Sequence, residues 1–272
     1  MTDISNEPAP NPDWQIALLI DADNVSHSRI AAILGELAKY GTANVRRAYG
    51  DWAGAQLKGW KDKLHEFAIR PVQQFSYTSG KNASDMALVI DALELLYTKR
   101  PRAFSIASSD ADFTPLVMHL RDAGCAVFGF GDRKTPSPFV NACTTFLYLD
   151  SLTATEVPAA TAAAAEAPPA TPRKPTPAAA KKAGSPLAQD AKLVEILRNA
   201  VEASMRDDGW AVLSVAGGSA KRVSSIDPRN YGAKNFPALF EATGLFDIVR
   251  PKGGQPLIAD KRNLDRAKTP QP

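Results

Sequence analysis

Three short acidic stretches carry the chemistry available to this sequence. Asp21 and Asp23 lie in Ile20-Asp-Ala-Asp-Asn24, directly behind an apolar run, and Asp110 and Asp112 lie in Ser108-Ser-Asp-Ala-Asp-Phe113 behind another. Asp85 follows the polar stretch Ser79-Gly-Lys-Asn-Ala-Ser84. Carboxylates that converge from separate stretches repel one another unless a cation joins them. An all-oxygen set without imidazole or thiolate suits Mg²⁺ or Mn²⁺. Such an ion organises a phosphodiester and activates water for in-line attack. The candidate set is Asp21, Asp85, Asp110 and Asp112. A single Asp behind a strand or at a helix start is ordinarily a cap or turn former, and Asp23 is left in that role. Asp91 lies on the helix that begins near Asp85 but points away from it at 3.6 residues per turn.

Positioning these residues requires a parallel sheet. Ile16–Ile20 is a short continuous apolar run, as expected of a strand covered on both faces. Helical spacing follows over 28–40, with Gly41 as its C-cap, then strand over 44–49, helix over 56–67 and strand over 71–77. The remaining elements are helix 84–98, strand 103–107, helix 113–123, strand 125–130, a short helix 139–143 and strand 146–149. Strands separated by helices imply right-handed βαβ crossovers and an α/β class. In such a sheet, functional groups collect beyond the carboxyl ends of strands, where the strand order reverses. If the strands ending at Ile20 and Ala107 are neighbours, Asp21 and Asp110 come within reach of one ion. Trp52 and Trp60 are read as core-closing aromatics.

Other chemistries are excluded by counts. Cys125 and Cys143 cannot form a disulfide framework or a four-thiolate zinc site, and His27, His65 and His119 have no ligand spacing. Sparse cysteine fits a reducing cytoplasm. The first fourteen residues are polar, with three prolines and no basic cluster, unlike a signal or transit peptide. No apolar run approaches the roughly 18–20 residues of a membrane helix, so no membrane partner is expected.

Composition breaks between residues 151 and 186, where alanine and proline replace large apolar residues. Such a stretch buries too little surface to offset the entropy of ordering it and reads as a linker. It separates a slightly acidic domain, 1–150, from a basic one, 187–266, whose charge suits a polyanion. The second domain reads as three helices and a glycine-rich β-hairpin, a small winged-helix module.

Several motifs in the first domain resemble the NYN family, PIN-like ribonucleases related to bacterial LabA-type proteins. They are Ile-Asp-Ala-Asp-Asn24, Lys81-Asn-Ala-Ser-Asp85 with Met86-Ala-Leu-Val-Ile-Asp91, and Ser108-Ser-Asp-Ala-Asp-Phe-Thr-Pro115. Gly129-Phe-Gly-Asp-Arg-Lys-Thr-Pro136, running on to Phe146-Leu-Tyr-Leu-Asp150, extends the resemblance across 15–150. It implies a PIN-like three-layer fold with a metal-dependent RNA-cleaving site. On that resemblance Asp21, Asp85, Asp110 and Asp112 bind metal, with Asn24 and Ser109 supporting them at the RNA-facing edge. Lys81, Arg133 and Lys134 flank the same edge as candidate contacts to the RNA backbone. Asp21-Ala-Asp-Asn-Val25 also resembles the opening of haloacid-dehalogenase-like phosphatases, in which Asp21 would be the nucleophile and Asp23 the acid/base.

In the second domain Asp207-Asp-Gly-Trp-Ala-Val-Leu-Ser, Asp227-Pro-Arg-Asn-Tyr-Gly, Phe236-Pro-Ala-Leu-Phe and Leu245-Phe-Asp-Ile resemble a LOTUS, or OST-HTH, domain. This implies RNA binding, with Lys221, Arg222, Arg229, Lys234 and Lys252 as candidate phosphate contacts. The reading that follows is a metal-dependent ribonuclease whose basic domain captures RNA. Its alternatives are a non-catalytic RNA-binding regulator and a phosphatase.

Overall fold

The computed structural model describes residues 14–75, 83–152, 186–251 and 254–266; the expected linker, Lys81 and Lys252 fall outside them or almost wholly so. The first unit runs β1 (Gln15–Asp21), α1 (Ile30–Leu37), β2 (Thr42–Gly50), α2 (Trp60–Glu66), β3 (Arg70–Gln73) and α3 (Ala83–Thr98). It continues through β4 (Ala103–Ala107), α4 (Thr114–Asp122), β5 (Ala126–Gly131), α5 (Ser137–Ala142) and β6 (Thr145–Tyr148). The six strands form one parallel sheet in the order β3-β2-β1-β4-β5-β6. The order reverses between β1 and β4, which makes that junction the switch point, the place where open α/β sheets gather functional groups.

Two cores clamp the sheet. Leu18 and Ile20 of β1 pack with Ile30, Ile33 and Leu37 of α1 and with Trp60 of α2. Ala17 and Leu19 point the other way, towards Leu88 and Ala92 of α3 and Val117 and Leu120 of α4. This alternation is the period-2 geometry of a strand, and apolar residues at both phases give β1 its unbroken hydrophobic run. The result is the three-layer α/β arrangement expected from the sequence. Trp52 packs edge-on to buried Trp60 and donates from Nε1 to the Val72 carbonyl at 3.0 Å.

One local expectation fails. The helix after β1 ends at Leu37 with Ala38 as its C-cap, and Gly41 is not in the left-handed conformation. Gly41 is small for another reason: a Cβ there would stand 2.4 Å from the Trp14 carbonyl oxygen and 2.6 Å from its Cβ.

The second unit comprises α6 (Ala191–Glu202), β7 (Ala211–Val212), α7 (Leu213–Val223), α8 (Phe236–Thr243), β8 (Phe246–Val249) and β9 (Leu257–Asp260). The strands form an antiparallel sheet ordered β7-β9-β8, with the β8–β9 hairpin as the wing. Asp190 caps α6 by accepting from Leu193 N, Asn235 caps α8 by accepting from Ala238 N, and Gly244 closes α8 at φ +69°. Leu193, Leu197, Ala216, Leu239 and Phe240 share one core.

The units touch along the free edge of β6. The Asn230 amide donates to the Phe146 carbonyl at 2.8 Å and accepts from Tyr148 N at 3.0 Å, so one side chain occupies the place of a strand partner. Covering an exposed strand edge in this way removes unpaired backbone groups.

Candidate nuclease site and basic surface

Strand register builds the site. Ile20 of β1 pairs with Ala107 of β4, so the next residues, Asp21 and Ser108, emerge side by side at the switch point. Asp21 is 1% exposed. Its Oδ2 accepts from Ser108 Oγ and from Asn24 Nδ2, each at 2.7 Å. Its Oδ1 is buried without a hydrogen-bond partner. Burial holds the Asp21 carboxyl above the usual range, against the lowering effect of the Asn24 and Ser108 bonds.

The loop behind β4 is organised by its own short side chains. Ser108 Oγ also accepts from Asp110 N at 3.1 Å, and Asp110 Oδ1 accepts from Asp112 N at 2.9 Å, starting the 3-10 turn Ala111–Phe113. Phe113, at 1% exposure, anchors that turn in the core, while Asp112 stays exposed. The resemblance gives the supporting role to Ser109. In the structure Ser109 Oγ accepts from Asp132 N at 2.9 Å and fastens the loop after β5, whereas Ser108 holds Asp21. No local pattern marks Ser108; the pairing of Ile20 with Ala107 is what sets the first residue past β4 beside Asp21.

Asp85 stands in the first turn of α3. Its carboxyl is pushed up to about 6, first by burial and then by repulsion from Asp21, Asp110, Asp112 and Asp23. All four candidate carboxylates therefore share one electrostatic neighbourhood, and Asp23 belongs to it. Asp23 Oδ2 accepts from Ser84 Oγ at 3.2 Å, bridging the loop after β1 to the start of α3. Asp91 is outside the group and accepts from Arg47 and Tyr49 on β2.

The donor chemistry suits a hard cation: only carboxylate oxygens, one of them buried and unpaired, with repulsion that a positive charge would relieve. The side chains are not closed into a coordination shell, however. Among the described residues no group of three or more carboxylate, imidazole or thiol side chains is disposed to hold an ion.

The expected basic residues divide. Arg229 is not an open phosphate contact: it donates to Asp227 Oδ2 at 2.7 Å and to Glu36 Oε2 at 2.6 Å, joining the two units. Those two carboxylates raise its already high pKa. Arg133 is likewise engaged, donating from Nε to Asp150 Oδ2 at 2.6 Å and from Nη1 to the Asn230 carbonyl at 3.3 Å. Lys134, Arg222 and Lys234 are exposed and Lys221 is half-buried. Arg222 and Lys221 sit in the last turn of α7.

Comparison with known proteins follows the same division. The OST-HTH/LOTUS domain family matches residues 185–258. No curated protein matches the chain. The crystal structure of a protein of unknown function, VPA0982 from Vibrio parahaemolyticus, is 16% identical, covering 51% of this chain and 94% of that chain at a TM-score of 0.43. The NYN domain family matches residues 15–150, half of the chain and the whole of the parallel sheet with its acidic edge. The chain belongs to the NYN domain family.

Proposed function

We propose that this protein is a metal-dependent ribonuclease that hydrolyses RNA phosphodiester bonds at the carboxyl edge of β1 and β4. The observation that carries the reading is the coupling of Asp85 to Asp21, Asp23, Asp110 and Asp112 at the sheet's switch point. NYN domains are typically nucleases and LOTUS domains bind RNA, so both halves of the chain agree with it.

Asp21, Asp85, Asp110 and Asp112 would hold Mg²⁺ or Mn²⁺. When bound, such a cation neutralises the gathered charge and polarises the scissile phosphate. Asp21 is the fixed member, oriented from below by Ser108 and Asn24. Asp110 and Asp112 are set by the turn that Asp110 caps. Asp85, whose carboxyl stands near 6 without metal because of burial and its acidic neighbours, would ionise as a cation relieves that repulsion and so complete the ligand set. Asp23 orients Ser84 and with it the first turn of α3.

The phosphatase alternative loses ground, because it leaves Asp85, its coupling to Asp110 and Asp112, and the basic second unit without a role. The regulator alternative has one observation in its favour, the absence of a closed ligand set among the described residues. Metal-titrated cleavage of a panel of RNA and DNA substrates separates the two. Asp110→Asn keeps an oxygen to cap the Asp112 amide while removing a charge, so it should abolish metal-dependent cleavage and leave RNA binding intact. Undiminished cleavage by this variant would refute the site, and metal binding without turnover on any RNA would favour the regulator.

A further inference from the structure

Where the two units meet, a second cleft opens on the side remote from the acidic edge. It encloses about 390 Å³ and is lined by Arg121 from the end of α4, Asn141 and Thr144 around α5, and Lys221, Arg222 and Ser225 from the end of α7. Three cationic side chains from two different domains thus converge on one polar space. Arg121 is held by donating to the Ala142 carbonyl at 2.8 Å, and Ser225 Oγ ties the wall together by donating to the Cys143 carbonyl. Of the carboxylates, Asp122 stands beside Arg121 on the adjoining groove but does not line the cleft itself.

That groove supplies a direction. It has a volume of about 540 Å³ and runs between α4 and α5, from Thr114 and Pro138 past Met118 to Arg121 and Asn141. Arg121 and Asn141 therefore belong to both spaces. Thr114 opens α4 immediately behind the turn that carries Asp112. From Thr114 to Arg121 the helix advances about 10 Å at 1.5 Å per residue. An extended strand of a few nucleotides would lie along it with one phosphate in the basic cleft and another approaching the carboxylates.

We propose that the Arg121–Lys221–Arg222 cleft is a composite phosphate seat for single-stranded RNA, and that the α4–α5 groove leads the strand from it to the acidic edge. This takes RNA as the ligand from the ribonuclease reading, but the seat itself is a matter of binding. Its architecture differs from a basic domain acting alone, because Arg121 comes from the NYN sheet unit and Lys221 and Arg222 come from the winged helix. Docking of the two units is what creates it.

The test is fluorescence anisotropy of the full chain with a labelled single-stranded RNA, in chelator so that no cleavage intervenes, across a salt series. Arg121→Gln and Arg222→Gln should each weaken binding several-fold, and their combination should weaken it about ten-fold or more. The slope of log affinity against log salt should fall by about 0.7 for each phosphate left without its cationic partner. Lys99→Gln, on an exposed site outside both the cleft and the groove, should change neither. Thermal melts run in parallel check the fold, and Arg222→Gln, altering an exposed side chain, is the variant least able to disturb it. Loss of binding with Arg222→Gln but not with Arg121→Gln would mean the winged helix binds alone and would overturn the proposal. So would cleavage and binding by the double variant at wild-type levels. A wild-type chain that binds RNA through these residues yet cleaves none would uphold the seat while removing the ribonuclease reading.

Discussion

Ser108 donates its hydroxyl to Asp21 Oδ2 at 2.7 Å, a bond between residues 87 positions apart in the chain. The same hydroxyl oxygen accepts from Asp110 N at 3.1 Å. One buried serine thus fixes the orientation of the deepest carboxylate and the start of the loop carrying two others. The parallel pairing of β1 with β4 puts it there, and neither strand alone would.

Replacing Ser108 by alanine should therefore be felt twice. Asp21 would keep only its bond from Asn24, and its carboxyl, already raised by burial, would rise further. Leaving a buried polar group short of a partner costs about 1–3 kcal/mol. Denaturant unfolding of Ser108→Ala should show a loss in that range, together with at least a ten-fold fall in metal-dependent cleavage, equivalent to about 1.4 kcal/mol in the barrier. Ser109→Ala breaks only the tie to Asp132 N at the loop after β5. It should cost about 1 kcal/mol or less and leave cleavage near wild type. A reversed ranking of the two serines would contradict the assignment.

The raised carboxyls predict an unusual pH response in metal-free protein. Asp85 is lifted from 3.8 to about 6 and Asp21 is lifted too, so the folded chain binds these protons more tightly than the unfolded chain. Their contribution to stability is complete below the unfolded value and is lost as pH rises through the folded one. In chelator, the melting temperature of wild type relative to Asp85→Asn should fall between pH 4 and pH 7. Adding Mg²⁺ or Mn²⁺ should raise the wild-type melting temperature more at pH 7 than at pH 5, because bound cation requires ionised ligands. A wild-type-minus-variant difference that is flat with pH would show that Asp85 is not held up by its neighbours.

Gly131, the last residue of β5, allows the loops behind β4 and β5 to close on each other. A Cβ there would meet Thr135 Oγ1 at 2.5 Å, the Ser108 carbonyl at 2.8 Å and Phe146 Cζ at 2.9 Å. Two of these are backbone or a packed ring, which cannot swing aside cheaply. Gly131→Ala should destabilise by about 1–3 kcal/mol, the usual cost of overpacking. Because the displaced carbonyl belongs to Ser108, cleavage should fall by more than the folded fraction does. Circular dichroism melts beside turnover measured on the folded protein would separate the two effects.

How much of this is legible in the sequence depends on the range of the interaction. The apolar run Ile16–Ile20 and the spacing of 84–98 announce a doubly covered strand and a helix, since both are local periodicities. The nearness of Asp21 and Asp110 follows from one topological rule about strand ends, and Asp85 joins them from the first turn of α3. The choice of Ser108 over Ser109 requires the register of β1 on β4, which no local pattern encodes. Gly41 misleads because a glycine ending a helix and a glycine making room for Trp14 look alike in one dimension. Arg229 has the look of a surface cation because its partner Glu36 lies 193 positions away. Asp227 and Asn230, its neighbours in sequence, give no hint that this turn faces another domain.

That turn yields the last expectation. Arg229 spans Asp227 and Glu36, and the Glu36 side chain is only 3% exposed. Arg229→Ala would strand two carboxylates at the junction, with Lys39 still holding Glu36 at 2.6 Å. Breaking a buried pair costs about 3–5 kcal/mol, but the guanidinium is 28% exposed and Lys39 remains, so about 1–3 kcal/mol is expected. Asn230→Ala would leave the Phe146 carbonyl and the Tyr148 amide unpaired at the edge of β6, a loss of similar size. The loss concerns docking more than either core, because the core of the first unit and that of the second contain neither side chain. Each variant should therefore convert a single thermal transition into two and increase the radius of gyration in small-angle scattering. Since the basic cleft forms only between docked units, RNA affinity should fall alongside. Melts and scattering identical to wild type in both variants would show that the units are not held together by this turn.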